Sequence, residues 1–114
     1  MKLNSRSITQ SKVAILELTG RFDAYEEPQV KQWLDRVAAS ESARIIVNLS
    51  EVNFIDSTAL ATLVHSMKYC REQNGDLYLC NLQQPVRIIF ELTRLDKAFE
   101  IFSDEAAAIA AFTN

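Results

Sequence analysis

The sequence predicts a single α/β domain built on a mixed sheet of about four to five strands with about four helices. Two observations predict it. Short β-prone apolar runs alternate along the chain with segments of helical periodicity, the pattern of a sheet flanked by helices. The 114 residues, 48% apolar and 24% charged, also have the size and balance of one globular domain. Such a chain buries about two-thirds of its unfolded surface without disulfide or metal staples.

Lys12 to Leu18, read KVAILEL, is β-prone and mostly apolar, and it ends at Thr19-Gly20. Leu3 to Thr9 is its expected hairpin partner, joined through Gln10-Ser11. From Pro28 onward, Val30, Trp33, Leu34 and Val37 fall at i, i+3, i+4 and i+7, one face of a helix. Pro28 suits the first turn, where its missing N–H costs nothing, and Glu26 and Glu27 complement the positive helix end. A start at Asp23 would bury that missing N–H one turn inside, so Asp23 is assigned to a loop.

Ala43 to Leu49, read ARIIVNL, is too short for a helix and suits a strand covered on both faces. Leu60, Leu63, Val64 and Met67 mark a second helix, closed by Asn74-Gly75. Asp76 to Cys80 is the next strand. Pro85 opens a third helix with Val86, Ile89, Phe90 and Thr93 on one face. Ala98 to Phe102 is a short strand, and Ser103-Asp104-Glu105 caps a last helix. There the small residues Ala106, Ala107, Ala108 and Ala110 favour close packing.

Composition excludes several functions. A net charge of −3 offers no basic excess to release counterions from a polyanion, so nucleic acid is not an expected partner. Apolar runs of a few residues fall far short of the roughly 20 that span a bilayer. Met1-Lys2-Leu3-Asn4-Ser5-Arg6 lacks the apolar core of a secretory signal, which makes the cytoplasm the default location. Cys70 and Cys80 cannot form a four-ligand metal site or a CxxC pair, and are read as buried small hydrophobes. Gly20 and Gly75 cannot write a phosphate-binding loop or a dinucleotide fingerprint. No cofactor and no metal are expected.

The most informative stretch is Phe54-Ile55-Asp56-Ser57-Thr58-Ala59-Leu60, placed on a loop entering the second helix. Asp, Ser and Thr there face free backbone N–H groups and the positive helix end. One reading is a helix cap, which contributes about 1 kcal/mol and needs one residue. Three candidates stand together, and the same geometry tolerates a phosphoryl group on Ser57 or Thr58. A hydrolase reading, with Ser57 as nucleophile, requires a base within about 3 Å. His65, the one histidine, lies eight residues on, roughly 12 Å along the helix axis. It is assigned to the flank or surface. Trp33 reads as core or as a partner hot spot, and Tyr25 as a partner contact or as local packing.

Asp56-Ser57-Thr58-Ala59-Leu60 resembles the D-S-[ST]-G-[LI] motif of STAS domains, the anti-sigma factor antagonist family. Leu18-Thr19-Gly20-Arg21-Phe22-Asp23 resembles that family's L-x-G-x-[LF]-D turn, and the order of elements matches along nearly the whole chain. The resemblance implies one STAS-like domain over 1–114, without enzymatic activity. It implies a partner-switching regulator that binds a serine-kinase anti-sigma factor when unphosphorylated and is released on phosphorylation. Ser57 is the implied acceptor with Thr58 as alternative, a phosphatase is the implied antagonist of the kinase, and Asp23 and Asp56 line the same surface. The partner-binding set is then Asp23, Tyr25, Asp56, Ser57, Thr58 and Ala59. The alternative is a phosphorylation-independent STAS interaction subunit, for example of a lipid-transport complex. Ala59 departs from the family's glycine, and its methyl group is expected to narrow kinase access to Ser57 or to change which kinase fits. The oligomeric state is left open by these residues.

Overall fold

A hairpin begins the chain: β1 (Lys2–Ile8) pairs antiparallel with β2 (Val13–Phe22) in the register Lys2↔Thr19 to Ile8↔Val13. The computed structural model describes residues 1–40 and 43–113. After the hairpin come α1 (Glu27–Ser40), β3 (Arg44–Ile55), α2 (Ser57–Glu72), β4 (Asp76–Cys80) and α3 (Gln84–Leu92). A 3-10 turn at Leu95–Lys97, β5 (Ile101–Phe102) and α4 (Glu105–Thr113) complete the chain. Among the described residues the five strands form one sheet in the order β1-β2-β3-β4-β5. β2 to β5 are parallel and β1 antiparallel, so the sheet is mixed.

Alternation along the strands sends their side chains to two unequal layers. Ala14, Leu16 and Leu18 of β2, Ile45, Val47 and Leu49 of β3, and Leu77 and Leu79 of β4 face α1, α2 and α3. Val30, Leu34, Val37, Leu60, Leu63, Val86 and Phe90 complete that main core. On the opposite face α4 sets Ala108 and Phe112 against Val13, Ile15, Ile46 and Cys80. Phe112 stacks on Tyr78 at 3.9 Å between ring centroids. Cys70 and Cys80 are buried free thiols, and burial pushes them up to about 11 and about 12.

Several local expectations need correction. β2 does not end at Thr19-Gly20. Gly20 takes φ +120° at a register irregularity, a conformation an L side chain disfavours, and the strand continues to Phe22. β3 runs to Ile55 rather than Leu49, because Val52 and Ile55 are still buried and β2 still pairs with it. β4 matches only Arg44 to Asn48, so the last seven residues of β3 overhang it. The strand expected over Ala98 to Phe102 shrinks to Ile101–Phe102, since Ala98 and Phe99 close the 3-10 turn through bonds to Leu95 O. Thr93 is an exposed C-cap, with its hydroxyl donating to Ile89 O at 2.7 Å, and not part of the apolar face. Of the alanines in α4, Ala108 is buried while Ala106 and Ala110 are exposed. Trp33 is half-buried at the core's edge.

Other signals act as read. Asp104 Oδ1 accepts from Ala107 N at 2.8 Å and caps α4. At the end of α2, Asn74 is left-handed at φ 65°, and Gly75 N donates to Cys70 O at 2.8 Å. Gly75 is required by closeness: a Cβ there would lie 2.0 Å from Ala43 O.

Candidate functional site

The site forms where β2 and β3 end side by side. Phe22 is registered with Ile55, and Asp56 N donates to Phe22 O at 3.3 Å. An aspartate follows each strand directly, so Asp23 and Asp56 open the two adjacent turns. Asp56 does not sit on a loop, as the sequence suggested: β3 passes into α2 through this single extended residue at φ −112°, ψ −179°.

Asp56 is the cap. Its Oδ1 accepts from Ala59 N at 3.0 Å, and its main-chain oxygen accepts from Leu60 N, the first bond of the helix. Its other oxygen, Oδ2, accepts from Ala24 N at 2.8 Å and ties the β2–α1 turn to the start of α2. Asp23 organises that turn from within. Its Oδ1 accepts from Glu26 N at 3.1 Å and its carbonyl accepts from Glu27 N at 2.8 Å. Oδ2 of Asp23 lies 3.7 Å from Arg21 Nε, and the Arg21 guanidinium stacks 3.9 Å from the Phe54 ring centroid.

With the cap supplied by Asp56, Ser57 and Thr58 stand exposed on the first turn of α2. Tyr25 is 89% exposed, so its ring is not packed into the fold. The turn that carries it is held by Asp23 and Asp56, so the aromatic ring is presented on a fixed backbone. Ala59 requires a correction. It is fully buried in the main core, so its methyl group neither narrows access to Ser57 nor offers a partner any side-chain surface. Helical phase carries that signal, because Ala59, Leu63 and Cys70 fall at i, i+4 and i+11 on the buried face.

The bond from Ala24 was not legible in the sequence, because it joins residues 32 apart. Nor was the contact of Thr62, whose hydroxyl donates to Glu27 Oε2 and ties α2 to α1. His65 is exposed on α2, as expected, and borders a cleft with Lys31 and Asp35 of α1. Among the described residues no group of three or more His, Cys, Asp or Glu side chains is placed to hold a metal ion. None of the described helices is long and apolar enough to cross a membrane.

The STAS domain family matches residues 5–108 of the chain. The anti-sigma-B factor antagonist of Staphylococcus aureus is 30% identical over 95 residues, covering 83% of this chain and 88% of that protein. The crystal structure of an anti-sigma factor antagonist from Mycobacterium paratuberculosis superposes with a TM-score of 0.85 at 21% identity, covering 99% of this chain and 96% of that one. The Bacillus cell fate determinant SpoIIAA in its phosphorylated form superposes with a TM-score of 0.76 at 19% identity, covering 96% and 98%. These likenesses extend over both strand ends and the start of α2.

Proposed function

The chain belongs to the STAS domain family, and from that premise we propose that it is an anti-sigma factor antagonist switched by phosphorylation of Ser57. In this reading it binds a serine-kinase anti-sigma factor while unphosphorylated, and phosphorylation releases it. A phosphatase resets the switch. The chain itself catalyses nothing and works in the cytoplasm, where ATP is at hand.

The observation that carries the reading is the division of labour at the start of α2. Asp56 makes the cap, and Ser57 is left exposed. Modification of Ser57 therefore leaves the cap bond in place. The relative in Staphylococcus aureus bears the name of an anti-sigma-B factor antagonist, and SpoIIAA exists in a phosphorylated form. Both support the proposal.

A phosphoryl group adds about −1.5 to −2 charges. On the free protein the dipole of α2 favours that charge by up to about 1 kcal/mol. In the complex the balance reverses. A kinase that modifies Ser57 must hold its nucleotide's phosphates beside the hydroxyl, so after transfer the new dianion faces the nucleoside diphosphate left behind. Asp56 already repels that charge in the free protein, while repulsion from the diphosphate and desolvation are added in the complex. A loss of about 3 kcal/mol would weaken binding more than a hundredfold.

The test is intact-mass and phosphopeptide mapping after incubation with ATP and extract of the native host, with Ser57→Ala beside wild type. One phosphate on Ser57, absent in the variant, is the expected result. Phosphate on Thr58 alone would move the switch by one residue. No phosphate, under conditions that modify a known substrate, would sink the proposal in favour of a phosphorylation-independent interaction subunit.

A further inference from the structure

We infer that the cleft between α1 and α2 is a second part of the docking surface and receives a cationic side chain, Lys or Arg, of the partner that covers Ser57. The inference rests on the function proposed above and assigns the partner's chemistry at a place away from the switch itself. The cleft has a volume of about 300 Å3 and is lined by Thr58, Ala61, Thr62 and His65 of α2 and by Lys31 and Asp35 of α1. The four α2 residues fall at i, i+3, i+4 and i+7, a single stripe that begins one residue after Ser57. Ala61 and the two threonines are short, so they leave the groove between the helices open. It continues over Glu27 and Gln32 as a second hollow that shares Lys31 and Asp35.

Charge names the occupant. The charged groups of this end include Asp23, Glu26, Glu27, Asp35 and Asp56 against Arg21, Lys31 and the N-terminal ammonium of Met1, which pairs with Glu26 at 3.1 Å, an excess of two negative charges. Lys31 is already held by Asp35 at 2.7 Å, and Arg21 lies between Asp23 and Phe54. Neither cation is directed at an incoming anion. A lysine or arginine of the partner would lay its alkyl stem on Ala61 and the threonine methyl groups and bring its head to Asp35 and Glu27. It would displace the exposed head of Lys31, which an exposed i,i+4 pair holds only weakly. The surface then has two electrostatic zones: a rim that attracts cations and a centre at Ser57 whose phosphorylation the complex does not tolerate.

The experiment measures binding of a purified anti-sigma factor serine kinase to wild type, Asp35→Lys, Lys31→Glu and Ala61→Leu at low and high salt. Ser57→Asp is run beside them, and thermal melts establish that each variant folds. Asp35→Lys should weaken binding about tenfold, and Lys31→Glu should tighten it. Ala61→Leu, which fills the cleft without a change of charge, should weaken it about tenfold. The reverse order of the two charge variants, or wild-type binding by Ala61→Leu, overturns the cleft assignment. If Ser57→Asp still abolishes binding in that case, the switch at Ser57 stands without the cleft. Absence of binding by the wild type overturns both.

Discussion

Asp56 accepts a 2.8 Å hydrogen bond from the amide of Ala24, 32 residues earlier in the chain. The same carboxylate caps α2 through Ala59 N. One side chain thereby fixes two turns, one presenting Tyr25 and the other Ser57. A cap contributes about 1 kcal/mol, and a bond to an ionised acceptor about 1.5 kcal/mol or more. Asp56→Ala should therefore cost about 2.5 kcal/mol in urea denaturation. Asp56→Asn keeps an oxygen for Ala59 but turns an amide NH2 toward Ala24, and should cost about half as much. Equal costs for the two variants would show that the cap bond to Ala59 contributes nothing, and an Asn variant as stable as wild type would show the same of the bond to Ala24.

Ser57→Asp separates stability from binding. An ionised carboxylate in the first turn of α2 interacts favourably with the helix dipole, so the variant should be more stable by about 0.5 kcal/mol at low ionic strength. That gain should fade in high salt. In thermal melts it should appear above the titration range of aspartate and vanish below it. Affinity for the anti-sigma factor should fall in the same variant. Opposite signs in the two assays distinguish a switch from a substitution that merely damages the fold.

Glu105 governs the acid end of the stability curve. Burial raises its pKa, but hydrogen bonds from Arg6 and Asn48 outweigh burial and hold the carboxyl below its ordinary value of 4.5. A depressed folded-state pKa contributes stability that is present above the unfolded value and lost as pH falls through the folded one. Wild type should therefore lose stability below about pH 4.5. Glu105→Gln should be less stable at neutral pH and show a shallower decline over about pH 5 to 3. Parallel curves for the two proteins would remove Glu105 from the acid response.

The sequence shows some of this directly and hides the rest for physical reasons. β4 is legible over Asp76–Cys80 because Asn74-Gly75 punctuates its start and the apolar Leu77, Leu79 and Cys80 are buried. The overhang of β3 is not, because Ser50, Glu51 and Asn53 break the apolar run where only part of the strand is covered. Gly20 reads as a turn yet marks an irregularity inside β2. At the site, the capping role of Asp56 is visible in its position before a helix. Its second bond is tertiary, fixed by the pairing of β2 with β3, and has no local signature. The burial of Ala59 was available from helical phase and was obscured by its place in a polar motif.

Strand order also bears on how the molecule assembles. The strands lie in space in the order in which they occur in the chain, β1-β2-β3-β4-β5. Each new strand is added at an exposed edge, and none has to be inserted between two already paired. A folding chain can therefore extend its sheet by edge addition, without opening a strand pair already made. The bond between Arg6 and Glu105 spans 99 residues and must wait for the last helix. The sheet can thus grow from contacts between neighbouring strands, whereas the tie between β1 and α4 forms only when the two ends of the chain meet.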